Sequence, residues 1–443
     1  MDQVRDLQET FPSSRPSWRY WRNMVIKAIG FVLLLLFLYV HFADPIRLVT
    51  ADLGRHLKNG ELILAGQSKI LTSNFYSYTD PDHPFTNHHW GTGVLFYLVY
   101  KMSGFSGLSF FYIGILLIGF CIYFYLACRL SSFSWAFFFA VLALPIFTDR
   151  LEIRPEGITT LLTGLYLYVL FMFRHGKLSF KKLLWIVPFL QIVWVNTHIL
   201  FFIGGVLVFI FVLDAWLGKQ DKTLTRQMWI LMTLMSAACL VNPAGLKGAL
   251  VPLTIFQEYG YRLAENQTVF FMQKRFGHDL KYLYFEFLVV LSLAALVRHC
   301  IVRRWRNCLA EILVVLFFLA LGLKTVRSMA SYAFVFVPMM SFFVWSILDR
   351  YEKVRKILGI LFGLIGTVFV VMGTFLPNNV YSPLSRLETF VRLNNGQPPD
   401  VNFGYMLTHP QIMTGLVPGI SGAADFVTNN NLQGPIFNNY DIG

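Results

Sequence analysis

Apolar runs of about 17–20 residues recur along this chain, each long enough to cross the roughly 30 Å hydrocarbon core of a bilayer. Almost no charge interrupts them. They fall at 24–43, 107–127, 132–148, 157–174, 183–198, 199–217, 227–242, 283–299, 308–323, 329–347 and 357–376. That predicts about eleven crossings and an all-α polytopic membrane protein. Composition agrees: 56% of the 443 residues are hydrophobic and 14% are charged, where a soluble domain carries about 25% charge. The first run, Ile26–Val40, is followed by HFADP rather than a small-x-small cleavage site. It reads as a signal anchor that stays in the protein.

The charge is sorted as well as sparse. Basic residues occupy the N-terminal segment (Arg5, Arg15, Arg19, Arg22, Lys27) and alternate connections. These connections hold Arg174, Lys177, Lys181 and Lys182, then Lys219, Lys222 and Arg226, then Arg298, Arg303, Arg304 and Arg306, then Arg350, Lys353, Arg355 and Lys356. All fall on one side if the crossings alternate, so that side and the N-terminus are expected to be cytoplasmic. The net charge of +13 is thereby explained by topology, and nucleic acid is not expected as a partner. The other side receives three longer pieces: Asp44–Ser106, Asn242–Tyr282 and everything after Leu376.

The expected domains are a transmembrane unit over 1–376, with its first extracytoplasmic loop at 44–106, and a C-terminal extracytoplasmic domain that begins in 377–443. In the loop, Ala51–Leu64 has the spacing of an amphipathic helix lying along the interface. Asn74–Asn87 reads as turns, and Trp90–Lys101 as a second interfacial helix anchored by Trp90, Tyr97 and Tyr100. The Asn-, Pro- and Gly-rich tail stops at FNNYDIG without a natural finish, so the natural protein is expected to be longer. Cys121, Cys128, Cys239, Cys300 and Cys308 share no exported loop and read as small buried hydrophobes, not a disulfide framework. No period of 20–50 residues marks a solenoid.

The residues able to do chemistry collect on the exported side. Asp52 and His56, in TADLGRHLKNG (50–60), are four apart and share a helix face. A carboxylate there can act as general base toward an acceptor hydroxyl, with a neighbouring imidazole donating, accepting or binding phosphate. Asp52 equally suits a helix cap after Thr50. His88 and His89, in TNHHWG (86–91), lack the i, i+4 spacing that chelates a metal from one helix face. A divalent metal is weakly supported and no cofactor is expected. Asp80-Pro81-Asp82 has a D-x-D form but reads as a turn. Arg150, Glu152, Arg154 and Glu156 lie between the third and fourth runs, Asn196 and His198 end the fifth, and Lys324 and Arg327 separate the ninth from the tenth. Charges at that depth mark a polar cavity, or they snorkel and pair with one another, Arg154 with Glu152 for example. Arginine's planar fork suits a lipid-linked phosphate.

With those residues in place, the chain resembles the GT-C superfamily of membrane glycosyltransferases, and within it a group of bacterial multi-span proteins. The resemblance rests on the order of ADLGRHLKNGELIL (51–64), NFYSYTDPDHPFTNHHWGTGVLFYLVYKMSG (74–104), RPEGITTLL (154–162), WVNTHILFFIG (194–204), VNPAGLKGALVP (241–252) and RSMASYAFVFVP (327–338). It implies an inner-membrane enzyme that moves a sugar from a polyprenyl-phosphate donor to a glycan, lipid or protein acceptor on the extracytoplasmic face. Asp52 takes the place of the family's catalytic base. Arg154 and Arg327 match, by position, the basic residues that bind the donor phosphate, and His56, His88, His89, Asn196 and His198 would complete the substrate-binding set. Many members carry two adjacent acids, whereas Asp52 is followed by Leu53, which counts against metal assistance. That departure keeps a second expectation open: a non-catalytic lipid-binding or scaffold subunit of envelope polysaccharide assembly. A transporter would need polar residues at mid-depth in several spans, and the span centres are almost purely apolar.

Overall fold

The computed structural model describes residues 18–46, 52–80, 83, 85–147, 152–254, 264–277, 279–303, 305–375, 414 and 422–432. Among them there is no strand. The helices are α1 (Trp18–Phe42), α2 (Leu53–Leu64), α3 (Trp90–Leu130), α4 (Phe133–Phe147), α5 (Glu156–Arg174), α6 (Phe180–Thr197), α7 (Phe202–Leu213), α8 (Lys222–Ala238), α9 (Gly245–Thr254), α10 (Val269–Phe276), α11 (Leu280–Val302), α12 (Leu309–Lys324), α13 (Met329–Ile347), α14 (Glu352–Phe375) and α15 (Gly422–Asn429). The expected C-terminal domain lies almost wholly outside the described residues.

Each apolar run of the sequence falls on a helix. Seven segments among the described residues are long and apolar enough to cross a membrane: Tyr20–Phe42, Trp90–Leu130, Glu156–Arg174, Ile199–Lys219, Leu280–Val302, Trp305–Lys324 and Val326–Ile347. The protein is an integral membrane protein of helices. The count of eleven crossings is not carried by length and composition. The run at 132–148, for example, becomes a helix of 15 residues, about 22 Å long. Buried Trp135, Phe137 and Phe139 hold it inside the bundle.

Both helices expected in the first loop are present. Trp90–Lys101 is the first part of α3 and, as expected, a helical segment of its own. A break at Gly104, with φ 65° and ψ −167°, separates it from the rest; only glycine adopts that conformation without strain. α2 packs one face against the protein. It buries Leu53, His56, Leu57, Asn59 and Gly60, and its glycine edge meets α3. A Cβ on Gly60 would overlap the Gly93 carbonyl and lie 2.7 Å from Tyr97 Cβ. The two backbones meet only because both positions lack a side chain. The first loop folds down on this pair: Tyr76 Oη donates to Asn59 Oδ1 at 2.6 Å, and Asn87 N–H donates to the Leu71 carbonyl at 2.9 Å.

The basic connections converge at the opposite end of the bundle. Arg174, at the last turn of α5, donates from Nε to Asp214 Oδ2 at 2.7 Å, from Nη1 to Glu311 Oε1 at 2.5 Å, and from Nη2 to the Asn307 carbonyl at 2.8 Å. Their side chains are 5%, 2% and 1% exposed for Arg174, Asp214 and Glu311. Arg174 was expected in a basic loop; instead it is buried, because two carboxylates from α12 and the end of α7 neutralise it. Nearby, Arg303 and Arg355 share Asp349, at 2.7 and 2.9 Å.

Two measurements check this architecture. Gly60→Leu should cost about 1–3 kcal/mol by overpacking, read as a lower melting temperature in detergent with faster proteolysis between α2 and α3. Arg174→Ala strands two buried carboxylates and should cost about 3–5 kcal/mol, whereas joint replacement of Arg174, Asp214 and Glu311 by apolar residues should recover most of that loss.

Candidate functional site

Five stretches of chain meet at the end of the bundle away from Arg174. They are the start of α2, the turn before α3, the lead into α5, the corner between α6 and α7, and residues 265–266 beside Arg327. Between them lies a cavity of about 140 Å³. Its wall contains every site residue expected from the sequence except Asn196: Asp52, His56, His88, His89, Arg154, His198 and Arg327. Helix direction explains the gathering. α5 and α13 begin here, α6 and α12 end here, and alternation of antiparallel helices returns each such connection to the same face.

The histidines form a packed column. His56, on the inner face of α2, is 3% exposed and meets His89 edge-on, with ring centroids 5.4 Å apart. His89 stacks on His198 at 5.2 Å and touches His88 at 4.1 Å. His198 leaves α6 in extended backbone (φ −154°, ψ 142°), which turns its ring back toward α5. There its Nδ1 lies 2.6 Å from Thr159 Oγ1, which also accepts from Trp194 Nε1 at 3.0 Å. His88 Nδ1 donates to the Thr86 carbonyl at 3.1 Å, because a carbonyl can only accept. His56 Nδ1 and His89 Nε2 are shut off from solvent and have no hydrogen-bond partner among the described residues.

Burial, more than charge, sets the protonation of the column. It drives His56 down to about 3, with Arg55 adding to the effect and Glu156 opposing it. It drives His88 down to about 4, with the Thr86 carbonyl opposing and Arg55 and Arg327 adding. His198 also falls to about 4, with Glu156 opposing and Arg327 and His88 adding. His89 falls well below the ordinary range, through burial first and then its three histidine neighbours. The column is neutral near pH 7. No three His, Cys, Asp or Glu side chains among the described residues are arranged to hold a metal ion.

Charge occupies the other half of the wall. Arg154 pairs with Glu152 at 2.8 Å and Glu265 at 2.9 Å, and Arg327 approaches the same Glu265 at 3.7 Å. Burial opposes the charge on Arg154, but Glu152, Glu156, Glu265 and Asp52 outweigh it and hold the guanidinium above its ordinary value. Asp52 stands before the first turn of α2 with no capping bond from its side chain. Its carboxylate pairs with Arg55 at 3.3 Å, both side chains about half exposed.

The residues left out have other work. Asn196 accepts from Trp90 Nε1 at 2.9 Å and donates to the Ile192 and Val241 carbonyls at 2.7 and 2.8 Å. It ties α3 to α6 and is fully used. Lys324 ends α12 outside the wall, and Arg150 lies outside the described residues. Asp80 pairs with His83 at 3.4 Å on an exposed turn; Pro81 and Asp82 lie outside the described residues. Sequence reasoning missed Arg55, Asn59, Glu265 and Asn266. For Glu265, the only signal was that two arginines on one face demand a counter-charge.

No protein-family model and no curated protein matches this chain. Among solved structures, the chain is similar to ArnT from Cupriavidus metallidurans bound to undecaprenyl phosphate. The match covers 91% of this chain and 74% of that one, at 14% identity and a TM-score of 0.48. At that identity and score, the reading of the site rests on its own residues.

The histidine column makes stability depend on pH in a defined direction. The unfolded imidazoles titrate near 6.5, the folded ones well below. Above 6.5 neither state takes up protons at these groups, so their contribution is complete. As pH falls from there toward 4, the unfolded chain binds protons that the folded chain excludes, and stability drops. Between about pH 7 and pH 4.5 the melting temperature of the wild type should therefore fall more steeply than that of His56→Phe. Parallel curves would mean that His56 is charged in the fold.

Proposed function

We propose that this protein transfers a sugar from a polyprenyl-phosphate donor to an acceptor hydroxyl, at the extracytoplasmic face of the membrane. One observation carries the reading: a carboxylate, Asp52, and two guanidiniums, Arg154 and Arg327, share one cavity at the mouth of an apolar bundle. The donor's polyprenyl chain remains in the bilayer while its phosphate enters between the exported connections. Arg154 and Arg327 receive the phosphate. His56 and His88 orient the acceptor or the phosphate.

In the reaction Asp52 takes the acceptor hydroxyl proton as the acceptor oxygen attacks the anomeric carbon. The bond from that carbon to the phosphate oxygen breaks, and its electron pair leaves with the polyprenyl phosphate. Negative charge on the phosphate therefore grows toward the transition state. Fixed guanidiniums are worth most at that moment, because they need no reorganisation to meet it. The anomeric centre inverts in a single displacement of this kind. The Asp52–Arg55 pair does not lock the base. An ion pair this exposed is worth about 0–1 kcal/mol, a small barrier to an arriving acceptor hydroxyl.

A second reading, a non-catalytic lipid-binding or scaffold subunit, is favoured by one feature. Asp52 is half exposed beside Arg55, and no second acid follows it. The two readings part on a single pair of variants. Asp52→Asn should lose on the order of 10²–10⁴-fold in sugar transfer, the range for a missing general base, while keeping a co-purified polyprenyl-phosphate species in native mass spectrometry. Arg154→Ala should lose that species. Full activity in Asp52→Asn removes the assignment of the base. Bulk phospholipid alone, unchanged in every variant, moves the protein to the scaffold reading.

A further inference from the structure

Arg154 and Arg327 reach the cavity from distant parts of the chain, one before α5 and one after α12. Both meet the same side chain. Arg154 Nη1 lies 2.9 Å from Glu265 Oε2, and Arg327 Nη1 lies 3.7 Å from Glu265 Oε1. Glu265 sits in the single helical turn Ala264–Asn266. That turn is fastened beside Arg327 by the Val326 N–H, which donates to the Gln267 carbonyl at 3.0 Å. Glu265 lines the same cavity as the arginines, and its side chain is 24% exposed.

A carboxylate and a phosphate ask the same thing of an arginine: parallel N–H donors toward paired oxygens. Two guanidiniums converging on one carboxylate therefore describe an anion subsite with an anion already in it. Among the described residues, the other charged groups facing this cluster are Glu152, Glu156 and Asp52, all around Arg154, and Arg55, which lines the cavity and pairs with Asp52. A further anion beside Arg154 and Arg327 would meet four carboxylates while Glu265 stays. We propose that Glu265 is the resident anion of the lipid-phosphate subsite. It holds both guanidiniums in their binding arrangement while no lipid is bound, and it gives way when the phosphate enters.

This inference rests on the phosphate reading of Arg154 and Arg327. It makes Glu265 a positioning residue with a sign opposite to that of a structural support. Competition from the resident carboxylate lowers the fraction of protein ready to bind, and apparent affinity falls by that fraction. Removing the charge should thus tighten binding, where loss of a mere support would weaken it.

The test is titration of the purified full chain in detergent with undecaprenyl phosphate, followed by native mass spectrometry. Undecaprenol is the uncharged control, and inorganic phosphate serves as competitor. Glu265→Gln should bind undecaprenyl phosphate more tightly, on the order of tenfold, with undecaprenol unchanged. Inorganic phosphate should also compete more strongly in that variant, which separates the phosphate group from the lipid tail. Glu265→Asp keeps the charge but withdraws it from Arg327, and should show a smaller gain. Equal or weaker binding in Glu265→Gln, or a gain shared by undecaprenol, overturns the proposal. If Glu265→Gln fails to fold, Glu265→Asp decides, and affinity at or below wild type overturns it. Arg154→Ala and Arg327→Ala should weaken undecaprenyl phosphate. If they do not, the phosphate reading itself fails, a result distinct from failure at Glu265.

Discussion

Charge inside an apolar bundle is tolerated only in company, and this constraint orders the rest of the molecule. A lone ion moved into such surroundings loses several kcal/mol of solvation, so each arginine at depth must bring a carboxylate. At one end Arg174 is closed in by Asp214 and Glu311, with all three side chains at 5% exposure or less. At the other end Arg154 and Arg327 are 18% and 16% exposed and share Glu265. The same pairing rule yields a sealed lock in the first case and an open cavity in the second. The difference is access, not chemistry.

α5 joins the two. Its first turn carries Glu156 beside Arg154, and its last turn carries Arg174, about 27 Å from Glu156 along the helix axis. Thr159, one turn in, fixes His198.

Sequence showed this sidedness plainly, because it depends on counting. Every other connection is basic, and helices that alternate in direction must return Arg154, His198 and Arg327 to one face. What sequence could not show was anything set by distance in space. Gly60 and Gly93 bring α2 onto α3 only because two small residues 33 positions apart coincide, a coincidence absent from either local pattern. Asn196 looked like a ligand because it neighbours His198; its amide is instead spent on Trp90 and Val241. Arg174 looked like one more loop charge, since Asp214 and Glu311 are far from it in sequence.

The wall of the cavity is divided, and the division has a physical origin. Buried imidazoles beside Arg55 and Arg327 cannot hold a second positive charge, so the column from His56 to His198 stays neutral. The arginines, unable to lose theirs, supply all the positive charge. One half of the wall therefore answers to anions and the other to neutral hydrogen-bonding groups, and the buried Nδ1 of His56 and Nε2 of His89 have no hydrogen-bond partner among the described residues. A polyprenyl-phosphate sugar is divided in the same way, with an anion at the lipid end and neutral hydroxyls beyond it. On the proposed reading, a hydroxyl that both donates and accepts is the simplest group to satisfy those two nitrogens. The reacting carbon would then lie where the two halves meet, beside Asp52.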